Sequence, residues 1–261
     1  MPRFAANLTM LFTEAPFLDR FALARDAGFD GVEFLFPYVC DCEQISERLR
    51  RYQLQLVLFN LPAGDWAGGD RGMACDPRRA DEFKASVQLA LEYATELGVP
   101  QVHCMAGKTP GGLAPERARE TFIDNLRYTA DAFAPHGIKV LIEPINHYDI
   151  PGYFLNHSQQ ALDIIAEAGR PNLFLQYDIY HMQRMEGELA NTIRAHLPLI
   201  QHMQLADTPG RNEPGSGEIN YRFLFRFLDE IGYQGWIGCE YNPKNGTAAG
   251  LGWRQALTAT V

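Results

Sequence analysis

The chain has 261 residues, 46% hydrophobic and 21% charged, which suits a globular protein with a sizeable core and leaves room for one large α/β domain. A formal net charge of −9 repels phosphate backbones and argues against nucleic acid as the main partner. No stretch reaches the length of a membrane span, the start lacks a signal-peptide pattern, and the five cysteines show no paired ligand spacing, so reduced thiols in a cytoplasmic protein are expected.

Short β-type runs alternate with longer helical patterns from the start. FAANLTM (4–10) reads as the first strand, followed by a helix from about Pro16 to Ala27 that Gly28 ends. GVEFLF (31–36) leads to a helix near 43–52. LQLVLFNLP (54–62) precedes a helix within 76–98, where Phe83, Val87, Ala90, Leu91, Ala94 and Leu97 share a face and Gly98 supplies the stop. QVHCMAG (101–107) precedes a helix whose Phe122, Leu126, Ala130 and Phe133 line up, ending at Gly137. KVLIEPI (139–145) comes before SQQALDIIAEAG (158–169), with Ser158 or Asn156 as the expected cap. NLFLQYDIY (172–180) comes before GELANTIRAHL (187–197), and IQHMQLAD (200–207) before NYRFLFRFLDEIG (220–232). GWIGCEYNP (235–243) is last, ahead of a terminal helix ending near Val261.

Eight strand–helix units without a composition break imply parallel strands joined by crossovers, and residues 1–261 are expected to form one (β/α)8 TIM barrel. An open doubly wound sheet would usually carry a glycine-rich turn after its first strand, and NLTMLFTEAP contains no glycine. Function in such a barrel resides at the C-terminal ends of the strands. There the fifth strand brings Glu143, the sixth Asp178, the seventh Gln204 and the eighth Glu240. Pro144 disfavours helix at Glu143 and holds it extended at the rim. Any one of these side chains alone could be an interior hydrogen-bonder. Converging together, three carboxylates repel unless a cation joins them, and oxygen donors suit Mg²⁺ or Mn²⁺.

The same residues lie in longer motifs: FNLPAGDWAGGDRG, GKTP, LIEPINHYDIPG, QYDIYHMQRMEGEL, HMQLADTPGRNEPGSGEINY and GCEY. From about Phe4 to Trp253 the chain resembles the hydroxypyruvate isomerase family, within the xylose-isomerase-like barrels. The resemblance implies interconversion of hydroxypyruvate and tartronate semialdehyde, or action on a 2-oxo-tetronate, with Glu143 and Glu240 as proton donor and acceptor. It also implies metal ligation by Glu143, Asp178, Gln204 and Glu240. Many relatives carry histidine where this chain has Gln204, a departure that favours Mg²⁺ or Mn²⁺ over zinc.

Such an isomerisation removes a proton next to a carbonyl and returns one to the neighbouring carbon, so negative charge builds on oxygen. Glu143 and Glu240 are expected to flank the substrate. His181, in DIYH, is expected to contact a substrate oxygen, or else to be satisfied locally. Arg211 and Lys108, on loops, are candidates to grip the carboxylate of a small hydroxy or oxo acid. Trp66 lies on a long glycine-rich loop and could close over the substrate or simply pack that loop down. Glu33 is expected to lie far around the ring in a structural ion pair, His103 in the barrel interior, and His202 to hydrogen-bond behind the site. The rivals are an epimerase or dehydratase on neutral sugars, a DNA-repair nuclease and a non-catalytic scaffold; a homo-oligomer is compatible with all of them.

Overall fold

In the computed structural model, which describes residues 2–258, the strands hydrogen-bond in chain order into a closed parallel barrel. They are Arg3–Asn7 (β1), Gly31–Phe34 (β2), Gln55–Asn60 (β3), Gln101–His103 (β4), Lys139–Ile142 (β5), Leu173–Asp178 (β6), Ile200–Leu205 (β7) and Trp236–Cys239 (β8). Parallel neighbours need crossovers, and helices supply them: Arg20–Asp26 (α1), Cys42–Arg51 (α2), Ala80–Leu97 (α3), Pro115–Phe133 (α4), Ser158–Ala168 (α5), Ile179–Met185 (α6), Leu189–His196 (α7), Tyr221–Glu230 (α8), Thr247–Gly250 (α9) and Trp253–Thr258 (α10). The (β/α)8 expectation therefore holds. Among the described residues, no helix is long and apolar enough to cross a membrane.

The helix faces follow from residue spacing. On α3 the buried positions include Phe83, Val87, Ala90, Ala94 and Leu97; on α4 they include Phe122, Leu126, Ala130 and Phe133. Gly98 ends α3 in the left-handed conformation (φ 63°) that lets a glycine close the last turn.

One local expectation fails. Neither Ser158 nor Asn156 caps α5: its N-cap is His157, without a side-chain bond, while Asn156 donates Nδ2 to the Ile145 carbonyl. The sixth strand ends at Asp178, as expected, and there Asp178 Oδ1 also accepts the N–H groups of Tyr180 (2.7 Å) and His181 (3.3 Å) and starts α6. The terminal helix is described only as far as Thr258, so its expected end near Val261 lies outside the described residues.

By contact density the chain forms two units. The first, Met1–Phe34, Glu43–Val57 and Asp178–Val261, holds β1, β2, β7 and β8. Its core includes Phe21, Phe29, Phe225 and Ile237, and its register pairs Asn7 with Glu33, Ala5 with Gly238 and Gln204 with Gly238. The second, Leu35–Cys42 and Leu58–Tyr177, holds β4, β5 and nearly all of β6, with Phe59, Val102, Phe122 and Phe133 in its core.

Candidate active site

Inside the first unit, the ends of β1, β2, β7 and β8 carry one connected polar network. Glu33, buried on β2, accepts hydrogen bonds from Asn7 Nδ2 (2.9 Å) and Gln204 Nε2 (2.8 Å) at Oε1, and its Oε2 lies 2.7 Å from His202 Nε2. The same two amide nitrogens also donate to Glu240 Oε2, Gln204 at 2.6 Å and Asn7 at 3.1 Å. Glu240 follows the last residue of β8, and its other oxygen meets Arg211 Nη2 at 2.5 Å. The closed ring sets β1 against both β2 and β8, which corrects the expectation that Glu33 is remote: two amides link it to Glu240. The close partner of Glu33 on the other side is His202, at hydrogen-bond distance.

Burial pushes the Glu240 carboxyl up, to about 8. Arg211 and the Gln204 hydrogen bond pull against that rise, while the charges of Asp178 and Glu33 add to it. A carboxyl so placed can exchange a proton near neutral pH.

Arg211 owes its place to the loop after β7. Asp207 gathers that loop by accepting the N–H groups of Thr208, Gly215, Gly217 and Ile219 at 2.8–3.0 Å. Within it Arg211 has φ 53°, its carbonyl accepts the Asn242 N–H at 2.8 Å, and its guanidinium lies 5.3 Å from the centre of the Tyr180 ring. Nothing in the residue pattern pairs this cation with Glu240.

In the second unit Glu143 immediately follows β5 and is buried, with Oε2 3.7 Å from His103 Nδ1. That histidine also faces Asn60 Oδ1 at 3.3 Å and is interior, as expected. Lys108 is exposed and donates Nζ to the Gly69 carbonyl at 2.9 Å, which ties it to the loop after β3. Trp66 on that loop packs against Phe36, ring centroids 5.0 Å apart, and under the Arg71 guanidinium at 4.0 Å. Packing the loop is what Trp66 does here.

Glu143, Asp178 and His181 are all buried and are of the residue types that could hold a metal ion. Two carboxylate oxygens and an imidazole nitrogen form a donor set that suits a divalent cation. Asp178 Oδ1 caps α6, while Oδ2 stands 3.6 Å from His181 Nε2. Two of the four expected ligands, Glu143 and Asp178, belong to this donor set, together with His181, which was expected to touch substrate. Gln204 and Glu240 belong to the amide-linked network. Sequence reasoning missed Asn7 as a member of the site; its position at the end of β1 was the available signal.

A family model described as a xylose isomerase-like TIM barrel matches residues 21–257. The chain is 52% identical to a hydroxypyruvate isomerase of Escherichia coli K12, over 97% of this chain and 98% of that one. It is 48% identical to a 2-oxo-tetronate isomerase of Cupriavidus necator H16, over 97% of each. A crystal structure from Brucella melitensis described as an AP endonuclease of family 2 superposes with a TM-score of 0.96 at 49% identity, covering 100% of both chains.

Proposed function

This chain belongs to the hydroxypyruvate isomerase family of xylose isomerase-like TIM barrels and is an isomerase, and on that premise we propose that it interconverts hydroxypyruvate and tartronate semialdehyde. The observation that carries the reading is Glu240: a carboxyl at the end of β8, pushed by burial to about 8, with the Arg211 guanidinium against it.

The reaction breaks a C–H bond at C3 of hydroxypyruvate, forms one at C2 and moves a hydroxyl proton between the two oxygens, so no oxidant is needed. Glu143 and Glu240 are the residues assigned to the carbon-bound protons, one accepting and the other donating, with roles reversed in the return direction. Arg211 binds the substrate carboxylate, trading part of its pairing with Glu240 for it. Glu143, Asp178 and His181 would hold a divalent cation, Mg²⁺ or Mn²⁺, with Gln204 and Glu240 as the further donors. Such an ion neutralises negative charge where it builds on the two oxygens.

The identity to 2-oxo-tetronate isomerases supports a second reading, the same chemistry on a four-carbon acid. The nuclease description of the Brucella structure draws no support from a chain with a net charge of −9. Proton NMR in deuterium oxide, with hydroxypyruvate and a four-carbon 2-oxo acid compared side by side, tests both. We expect solvent deuterium to enter one or both acids, and Glu143→Gln and Glu240→Gln each to lower the rate by about 10²-fold or more. Exchange at near wild-type rates in either variant would remove that residue from the assignment.

A further inference from the structure

We infer that Glu33 is a positioning residue: its buried carboxylate fixes the orientation of the Gln204 amide and the placement of Glu240, and so prepares the site for a divalent cation. The inference rests on the reading of Gln204 and Glu240 as site residues, and it concerns a side chain that reaches them only through other groups.

The geometry leaves the amide little choice. A primary amide nitrogen carries two hydrogens, and Gln204 Nε2 has a carboxylate oxygen for each, Glu33 Oε1 at 2.8 Å and Glu240 Oε2 at 2.6 Å. Turning the amide over would set its carbonyl oxygen against the Glu33 carboxylate, replacing a charge-assisted hydrogen bond with an acceptor–acceptor contact. The side of the amide that carries the Gln204 oxygen is therefore set by the two carboxyl groups that Nε2 faces. Asn7 repeats the arrangement, with Nδ2 on the same two oxygens, while its Oδ1 accepts the Thr9 N–H at 3.1 Å and locks the amide from behind. Between them the two amides fix Glu240 Oε2, which leaves Oε1 to Arg211.

Glu33 is itself held in place. His202 Nε2 lies 2.7 Å from Oε2, completing the set of neighbours around the charge. Space for the carboxylate comes from β8: a Cβ on Gly238 would come within 2.2–2.4 Å of the Glu33 carboxylate atoms. Gly238 pairs with Gln204 on one side and Ala5 on the other, so the glycine opens the barrel interior where the network needs room. A charge accommodated by a dedicated gap and three donors is costly to bury and has little reason to be there for packing alone.

Two variants test the inference, read by Mn²⁺ binding to the purified protein (electron paramagnetic resonance of free Mn²⁺, without substrate) alongside thermal unfolding in EDTA. Glu33→Gln keeps the size of the side chain but lets either amide of the facing pair donate, so the Gln204 orientation is no longer enforced. Gly238→Ala keeps Glu33 and every proposed ligand but displaces the carboxylate. Partners that orient metal ligands are worth roughly 10–100-fold in affinity, and we expect each variant to weaken Mn²⁺ binding by about that factor. At Mn²⁺ levels that saturate the variant, much of the lost turnover should return. Mn²⁺ affinity unchanged in Glu33→Gln, with only a lowered unfolding temperature, would make Glu33 a structural ion pair and overturn the inference alone. Wild-type protein that binds no Mn²⁺ would overturn the metal-site reading and the inference with it.

Discussion

Glu240 shows what burial does to one carboxyl. Its ordinary value near 4.5 is raised to about 8 in the folded chain, first by burial. Between those limits the folded state holds a proton that the unfolded state has released. Stability from this group is thus complete below about 4.5 and is lost as the pH rises through 8. The cation-free protein, melted in EDTA from pH 5 to 9, should become less stable across that window, and Glu240→Gln should flatten the slope. A wild-type profile that rises with pH over the same range would contradict this. At this scale the sequence was partly legible. Glu143, Asp178, Gln204 and Glu240 could be read because each closes a strand, and strand ends are where a barrel does chemistry. Glu33 could not, since what matters about it is a pair of amide hydrogens it shares with a residue 207 positions later in the chain.

Single elements were read best where spacing alone decides them. The buried faces of α3 and α4 follow the apolar positions expected from sequence, and Gly98 stops α3 where the pattern gives out. Capping was harder, because it depends on which side chain reaches a free N–H. Serine at 158 became the first residue of α5 rather than its cap, and Asp178, read as a strand end, turned out also to start a helix. That double role has a purpose: with Oδ1 tied to α6, the carboxylate cannot rotate away from His181. Gly98 offers a clean measurement. A Cβ there would meet nothing within 4 Å, so Gly98→Ala carries only the cost of the left-handed backbone at φ 63°, about 1 kcal/mol. Urea unfolding should show the midpoint reduced with an unchanged slope, and Gly98→Asn should lose less, since asparagine tolerates that conformation. An alanine variant as stable as the parent would mean that the cap contributes nothing.

Across the whole molecule, alternation of strand and helix named the barrel, but ring closure is what gives it a site. An open sheet of the same strands would leave β1 and β8 as separate edges, whereas the closed ring pairs Ala5 with Gly238 and so brings Asn7 and Glu33 to Glu240. A cation held by Glu143, Asp178 and His181 would draw on the end of β5, the end of β6 and α6 at once. Ligands that lie 38 positions apart in sequence, from Glu143 to His181, cannot be assembled by the unfolded chain, so binding favours the folded state by mass action. At a free Mn²⁺ concentration 100 times the dissociation constant the gain is about 2.7 kcal/mol. For a chain of this size that raises the unfolding temperature by roughly 5–10 °C. The rise should grow with the logarithm of Mn²⁺ concentration and reverse on adding EDTA. It should also vanish in Glu143→Gln, which separates specific binding from counter-ion screening of a chain carrying a net charge of −9. An equal rise in wild type and Glu143→Gln would assign the effect to screening and leave the trio without a metal to hold.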